Sequence, residues 1–288
     1  MPRYLDPKSD LVFKKIFGQH PDLLKSFLNA VLPLPIDGLI DTLEYLPAEQ
    51  IPHIPVLKRT VVDVKCKDQQ GRIFIVEMQI EWTDAFMQRL LFGTATAYVK
   101  QLERGETYEL LHPVYGLGLI NSLFDHESPE WYHHYSMVKV NAPHQCLVNG
   151  LSLIFLELPK FAPQNKNDKT LRVLWLRFMR ELGQHLYEMP PELLAVPEIK
   201  QAATLAEEAA YTNAELSWYD SYWDAISTEK TLLSGKYKEG LAEGLEAGRA
   251  EGQIATQQQI ARAMKTSGVP IADIILYTGL LKTDIEKL

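Results

Sequence analysis

Residues 60–67 (TVVDVKCK) and 72–80 (RIFIVEMQI) alternate apolar and polar positions, and Gln69-Gln70-Gly71 lies between them. Alternation with a period of two, rich in β-branched residues, predicts two strands joined as a hairpin. A three-residue hairpin loop ends on a residue in the left-handed region, where glycine carries no Cβ penalty, and Gly71 suits that place. With this loop Asp68 faces Arg72, and counting outward brings Asp63 opposite Glu77. The same period puts Asp63, Lys65 and Lys67 on one face of the first strand, with Val62, Val64 and Cys66 on the other. On the second strand Glu77 and Gln79 share a face, opposite Phe74, Val76, Met78 and Ile80.

Around the hairpin the pattern turns helical. Helices are predicted at about 9–17 and 21–31, before a proline-rich stretch at 33–55. In the first, Ser9 reads as an N-cap and Gly18 as a C′ stop. A third helix is expected from Asp84 to about Leu102. Residues 114–120 and 151–158 read as buried strands, 159–167 as a linker, and 169–228 as helical, with Trp175, Trp218 and Trp223 as core or interface aromatics. Helices alternating with strands of a central mixed sheet predict an α/β fold.

The tail has its own pattern. Gly240, Gly244, Gly248 and Gly252 recur every four residues and trace one stripe on a helix. Each glycine costs a helix about 1 kcal/mol relative to alanine. Close packing of two backbones along the stripe would offset that cost and implies a homo-oligomer; a solvated linker fits the same residues. Beyond it, 254–265, 271–277 and 283–288 read as short helices, and 271–280 loosely matches half of a helix-turn-helix.

Composition narrows the class. The chain has 288 residues, a formal net charge of −8 and ordinary apolar content, which predicts one large or two modest globular domains. No apolar run is long enough to cross a bilayer and no leader pattern opens the chain. Two cysteines, Cys66 and Cys146, make no disulfide framework, so a soluble cytoplasmic protein is expected. The acidity is concentrated at 190–228, where Lys200 stands against Glu192, Glu198, Glu207, Glu208, Glu215, Asp220 and Asp224. Around Asp63 the balance reverses, with Lys58, Arg59, Lys65, Lys67 and Arg72, a pattern that suits a phosphate-backbone substrate.

Directly opposed residues in a hairpin have Cβ atoms about 4.5–5.5 Å apart, and like charges there repel. A divalent cation between Asp63 and Glu77 would offset the repulsion, and an all-oxygen set suits Mg²⁺, or Mn²⁺, rather than zinc. A solvated strand face pairing with Lys65, Lys67 and Arg72 fits the spacing equally. Asp10, in the first turn of the first helix, complements the helix dipole. Arg89, Gly93, Thr96 and Lys100 follow helical spacing as a cationic stripe with small residues between. His126, His133 and His134 share no regular spacing with Asp125 and read as loop and surface histidines.

Several segments together resemble one family. Asp10-Leu11-Val12-Phe13-Lys14-Lys15-Ile16-Phe17-Gly18 resembles its N-terminal D-x-x-F-K-x-x-F-G, and Ile75-Val76-Glu77-Met78-Gln79 its I-x-E-M-Q strand. Arg89, Tyr98 and Gln101-Leu102-Glu103-Arg104-Gly105-Glu106-Thr107-Tyr108 resemble its R…Y…QL…G-x-x-Y stretch. These match the Rpn branch, the transposase-like recombination-promoting nucleases of the PD-(D/E)xK superfamily. The specific part of the resemblance covers about the first 125 residues.

The resemblance implies a restriction-endonuclease-like α/β core at 1–165, a helical region at 166–228 that completes or flanks it, and a helical tail at 229–288 for oligomerisation or DNA contact. It implies that Asp63, Glu77 and the Met78 carbonyl hold the metal and that Asp10 is a third acid. The superfamily lysine after the second acid is Gln79 here, a neutral group that can only orient the attacking water. Either the metal alone generates the hydroxide or another cation supplies the charge, with Lys65, diagonal to Glu77, as the leading substitute; Arg89, Lys100, Lys67 and Arg72 are candidate nucleic-acid contacts. The implied activity is Mg²⁺-dependent hydrolysis of DNA phosphodiesters, promoting recombination or restricting mobile elements. A non-catalytic DNA-binding oligomer and an RNA-cleaving toxin are the alternatives.

Overall fold

A computed structural model describes residues 3–50, 60–146, 148–163, 168–183 and 189–288. In chain order the helices are α1 (Asp10–Phe17), α2 (Pro21–Val31), α3 (Asp84–Val99), α4 (Leu171–Glu181), α5 (Pro191–Leu194), α6 (Pro197–Ala206), α7 (Asn213–Thr266), α8 (Ile271–Thr278) and α9 (Lys282–Lys287). The strands are β1 (Leu43–Tyr45), β2 (Glu49–Gln50), β3 (Thr60–Val61), β4 (Val64–Asp68), β5 (Ile73–Gln79), β6 (Val114–Ile120), β7 (Tyr132–Ser136), β8 (Val138–Lys139), β9 (Ala142–Cys146) and β10 (Leu151–Glu157). The chain divides into two compact units, one ending at Trp223 and the other running from Asp224 to Leu288.

The first unit is built on a six-stranded sheet in the order β1-β4-β5-β6-β10-β7. Strands β5, β6 and β10 run parallel, while β1, β4 and β7 join antiparallel, giving the mixed sheet expected. The parallel strands are buried on both faces, which explains their nearly continuous apolar sequence. On one face Val64, Cys66, Phe74, Val76, Leu117, Leu119, Ile154 and Leu156 share a core with the aromatics of α1, α2 and α4. Phe13, Phe17, Phe27 and Trp175 pack there ring against ring, and the Trp175 indole N–H donates to Ser26 Oγ at 3.1 Å. Helices α4 and α6 contribute to this same core.

On the opposite face Ile73, Ile75, Val114, Ile120 and Phe155 pack beneath α3 through Phe86, Leu90 and Ala97. Two glycines set how closely α3 lies. A Cβ at Gly116 would collide with Thr94 Oγ1, and one at Gly118 would press on Phe86 and Phe155 at 3.1 Å. The helix therefore seats directly on β6, and its length brings side chains over β5.

The hairpin register agrees with the alternation. Val64 pairs with Val76 and Lys67 with Ile73, and the turn closes where Asp68 N–H donates to the Arg72 carbonyl. Gly71 occupies the left-handed region at φ 79°. The first strand is not continuous, however. It breaks at Val62-Asp63, so that β3 pairs with β2 and only β4 enters the main sheet. The Val62 N–H donates to the Ala48 carbonyl, and its side chain joins the α3-side cluster instead of facing with Val64 and Cys66.

Other expectations need smaller corrections. Helix α3 ends at Val99, with Lys100 as its cap. Gly18 caps α1 in the right-handed region, φ −91°, not as a left-handed stop. Residues 158–160 form a single 3₁₀ turn and Phe161 is buried, while 164–167 of the expected linker lie outside the described residues. Short strands β1, β2 and β7 to β9 occupy stretches without a predicted element. Trp175 is fully buried, whereas Trp218 is half-exposed.

In the second unit the glycine stripe lies within one continuous helix, α7, which also absorbs the separate helix expected at 254–265. Among the described residues, and apart from the neighbouring backbone of the helix itself, nothing approaches within 4 Å of a Cβ built on Gly240, Gly244, Gly248 or Gly252. The end of α7 packs with α8 and α9 around Ala261, Ile274 and Ile285. No described helix is long and apolar enough to cross a membrane.

Candidate active site

The break at Val62-Asp63 builds the site. Beyond Val64 the ladder ceases, and the Asp63 side chain takes the place of a strand carbonyl. Its Oδ2 accepts the Met78 N–H at 2.8 Å, tying the first acid to the residue after the second. Glu77 is 3% exposed on β5, beneath α3, and among the described residues its buried Oε1 has no hydrogen-bond partner. Two carboxylates thus converge at the end of the hairpin away from its turn.

Their electrostatics follow from burial. Desolvation, then the charge of Asp63, pushes Glu77 up to about 7, against the pull of Arg89 and Lys14. Desolvation also raises Asp63, while the Met78 amide and Lys14 favour its charged form. Two coupled acids, both raised by burial, in a partly open corner are the environment expected of a functional centre.

Helix α3 supplies the cation over β5. Thr83 caps the helix by accepting the Phe86 N–H, which starts it directly after Trp82. Arg89 then donates to Gln79 Oε1 at 2.9 Å and reaches Glu77 Oε2 at 3.4 Å. The Gln79 amide nitrogen donates to the Glu81 carbonyl at 2.7 Å, so the side chain is held from both ends. From the other face, α1 brings Asp10 and Lys14. Lys14 Nζ lies 2.6 Å from Asp10 Oδ1 and 3.8 Å from Asp63 Oδ1.

The remaining predicted contacts separate. Lys65, Lys67 and Lys100 line a pocket of ≈ 520 Å³ with Gln101 and His112, toward the turn end of the hairpin. The cations that favour the charged forms of Asp63 and Glu77 are Arg89 and Lys14. Burial and the Lys100 charge lower the Lys65 pKa. Arg72 is corrected outright. Its guanidinium is buried, donating to Asp68 Oδ2 at 2.7 Å and to the Gly38 carbonyl at 2.6 Å, which closes it to a phosphate. Lys58 and Arg59 lie outside the described residues. His133 is also corrected, from surface to buried: its Nε2 lies 2.9 Å from Glu157 Oε1, which also binds Lys160.

Lys14 is the site residue that reading the sequence for chemistry passed over. Its signal was the i,i+4 spacing from Asp10 within the D-x-x-F-K segment.

A family profile described as PD-(D/E)XK nuclease family transposase matches residues 7–235. The chain belongs to this family. It is also 26% identical to the recombination-promoting nuclease RpnA of Escherichia coli (strain K12), over 96% of this chain and 95% of that one. No solved structure gives a significant match. The mixed sheet and flanking helices suit a PD-(D/E)XK fold, and membership supports a nuclease role connected with recombination.

Nucleases of this family generally use divalent ions, and the acid pair can be tested against one. Among the described residues Glu77 Oε1 is an unpartnered hard-oxygen donor in a buried position, and Asp63 adds a second carboxylate whose Oδ2 is held by the Met78 amide. Among the described residues no group of three or more His, Cys, Asp or Glu gathers. Two carboxylates with remaining positions left to water match Mg²⁺, which keeps several waters, better than an ion needing a full protein cage. The donor set fits.

Proposed function

We propose that the protein is a Mg²⁺- or Mn²⁺-dependent DNA endonuclease. The observation that carries this reading is the coupled acid pair Asp63 and Glu77, just beyond the last ladder pair Val64–Val76, with Glu77 Oε1 buried and, among the described residues, unpartnered. The ion would be held by Asp63, Glu77 and the Met78 carbonyl, with Asp10 as a nearby third acid. When bound, it supplies Lewis-acid charge and a more acidic water.

The chain's own residues do the rest. Gln79, fixed by Arg89 and the Glu81 carbonyl, is oriented to hydrogen-bond an attacking water. Arg89, half-exposed beside it, can take a phosphate oxygen. Lys65, Lys67 and Lys100 offer positive charge along the neighbouring surface for the strand backbone. One water adds across the P–O bond: its oxygen joins phosphorus, and one of its protons ends on the leaving oxygen through solvent. The similarity to a recombination-promoting nuclease supports DNA breakage that promotes recombination or restricts mobile elements.

We also propose that α7 associates with a second copy. Leu233, Tyr237, Leu241 and Leu245 repeat every four residues and are exposed, beside the glycine stripe. Two such faces together would bury both.

The test is purified protein incubated with supercoiled plasmid and, separately, structured RNA, each with Mg²⁺ or with EDTA. Plasmid cleavage that needs the metal supports the reading. RNA cleavage alone redirects it to a ribonuclease, and cleavage of neither leaves a DNA-binding protein on a nuclease fold.

A further inference from the structure

We infer that Lys14, from the first helix, is a catalytic residue that supplies the positive charge which Gln79 cannot, a role resting on the nuclease reading above. Hydrolysis places growing negative charge on the phosphate and on the attacking oxygen, and a positioned cation stabilises it. A glutamine two residues after the buried acid offers only neutral hydrogen bonds. A cation on another element can restore that charge.

The packing of α1 fixes which element that is. Val12, Phe13, Ile16 and Phe17 are all fully buried, so the helix has one rotational setting. That setting turns Asp10 and Lys14 to the acid pair. Asp10 holds the Lys14 ammonium at 2.6 Å, and the ammonium stands 3.8 Å from Asp63 Oδ1. Its side chain is 43% exposed, which leaves it open to a substrate from solvent.

The other cations are less suited. Arg89 is engaged with Gln79 and Glu77. Lys65 lines the pocket at the far end of the hairpin with Lys67 and Lys100. Lys14 comes from the sheet face opposite α3 and brings its ammonium to the Asp63 side of the acid pair. Asp10 acts as a positioning residue for it. In the hydrolytic step Lys14 keeps its proton and donates hydrogen bonds to the phosphate oxygen or the attacking water; no bond to nitrogen forms or breaks.

The experiment compares the wild type with Lys14→Ala, the double variant Lys14→Ala/Gln79→Lys, and Asp63→Ala and Glu77→Ala as references. Plasmid cleavage and DNA affinity are measured together with the thermal shift produced by Mn²⁺. The expected result is a loss of about 10²–10³-fold in cleavage by Lys14→Ala, with DNA affinity little changed and the Mn²⁺ shift retained. Recovery of most of the rate is expected when Gln79→Lys moves the ammonium back to the strand, or when methylammonium is added to Lys14→Ala. Cleavage by Lys14→Ala at the wild-type rate overturns the inference while the acid-pair reading stands, and shows an ordinary surface ion pair with Asp10. Loss of the Mn²⁺ shift in Lys14→Ala, or absence of recovery by both routes, also overturns it, because Lys14 would then act through the fold of the site. Normal cleavage by Asp63→Ala and Glu77→Ala overturns the reading and this inference together.

Discussion

The Met78 amide donates to Asp63 Oδ2 at 2.8 Å, so one acid of the pair is clipped to the backbone directly after the other. The strand break at Val62-Asp63 is what frees the Asp63 side chain to make this bond. The cost is a pair of carboxylates held together in a buried corner.

That cost should be visible without metal. Because burial and Asp63 push Glu77 up to about 7 from an ordinary 4.5, the folded protein holds this proton more tightly than the unfolded chain does. In EDTA, this group's contribution of about 3 kcal/mol should be fully present below about pH 4.5 and be lost as pH rises through about 7. Asp63, raised in the same direction, adds to the loss. Thermal unfolding against pH checks this, and Glu77→Gln should flatten the profile. A wild-type profile unchanged between pH 5 and 7.5 would contradict it.

Gln79→Ala should slow cleavage more than it weakens DNA binding, since Gln79 aligns a water and carries no charge. Gln79→Lys should preserve or raise the rate. Single-turnover cleavage and a binding isotherm on the same duplex separate the two effects, and unchanged kinetics in Gln79→Ala would make it a bystander.

Arg72 was read as a phosphate contact, and the structure gives it another task. It neutralises Asp68, whose side chain is buried and also accepts the Gln70 and Arg72 N–H groups. Removing one partner of such a pair leaves a buried charge uncompensated, so Arg72→Ala should cost about 3–5 kcal/mol. Urea denaturation measures this. A loss below 1 kcal/mol would mean that the turn is held by its backbone alone.

The hairpin register from Val64–Val76 to Lys67–Ile73 was legible because period-two alternation and one left-handed glycine are local signals. The central strands were legible for a similar reason, since β6 and β10 are apolar runs. What escaped depends on contacts distant in sequence. Lys14 reaches Asp63 only once α1 docks, and His133 is buried because Glu157 and Lys160, on and after β10, meet it. Strands β1 and β2 are three and two residues long, too short for any periodicity. The break at Val62-Asp63 has no local signal either, because its cause is the Ala48 carbonyl and the Met78 amide.

The exposed glycine stripe and its leucine neighbours on α7 give a further expectation. Gly244→Leu should lower the oligomeric state in light scattering by separating the two backbones, with nuclease-unit stability unchanged. Deleting 229–288 should do the same and favour nicks over double-strand breaks. A full-length protein that is monomeric would contradict the pairing.

The central claim is that Asp63 and Glu77 together form the cleavage centre. The most direct measurement is the rate of plasmid cleavage in Mg²⁺ by Asp63→Ala and by Glu77→Ala, each shown by circular dichroism and thermal unfolding to be folded. The account predicts that both lose cleavage entirely on the timescale in which the wild type converts the plasmid, with thermal stability at pH 8 in EDTA equal to or above that of the wild type. Folded variants that cut at the wild-type rate would contradict it.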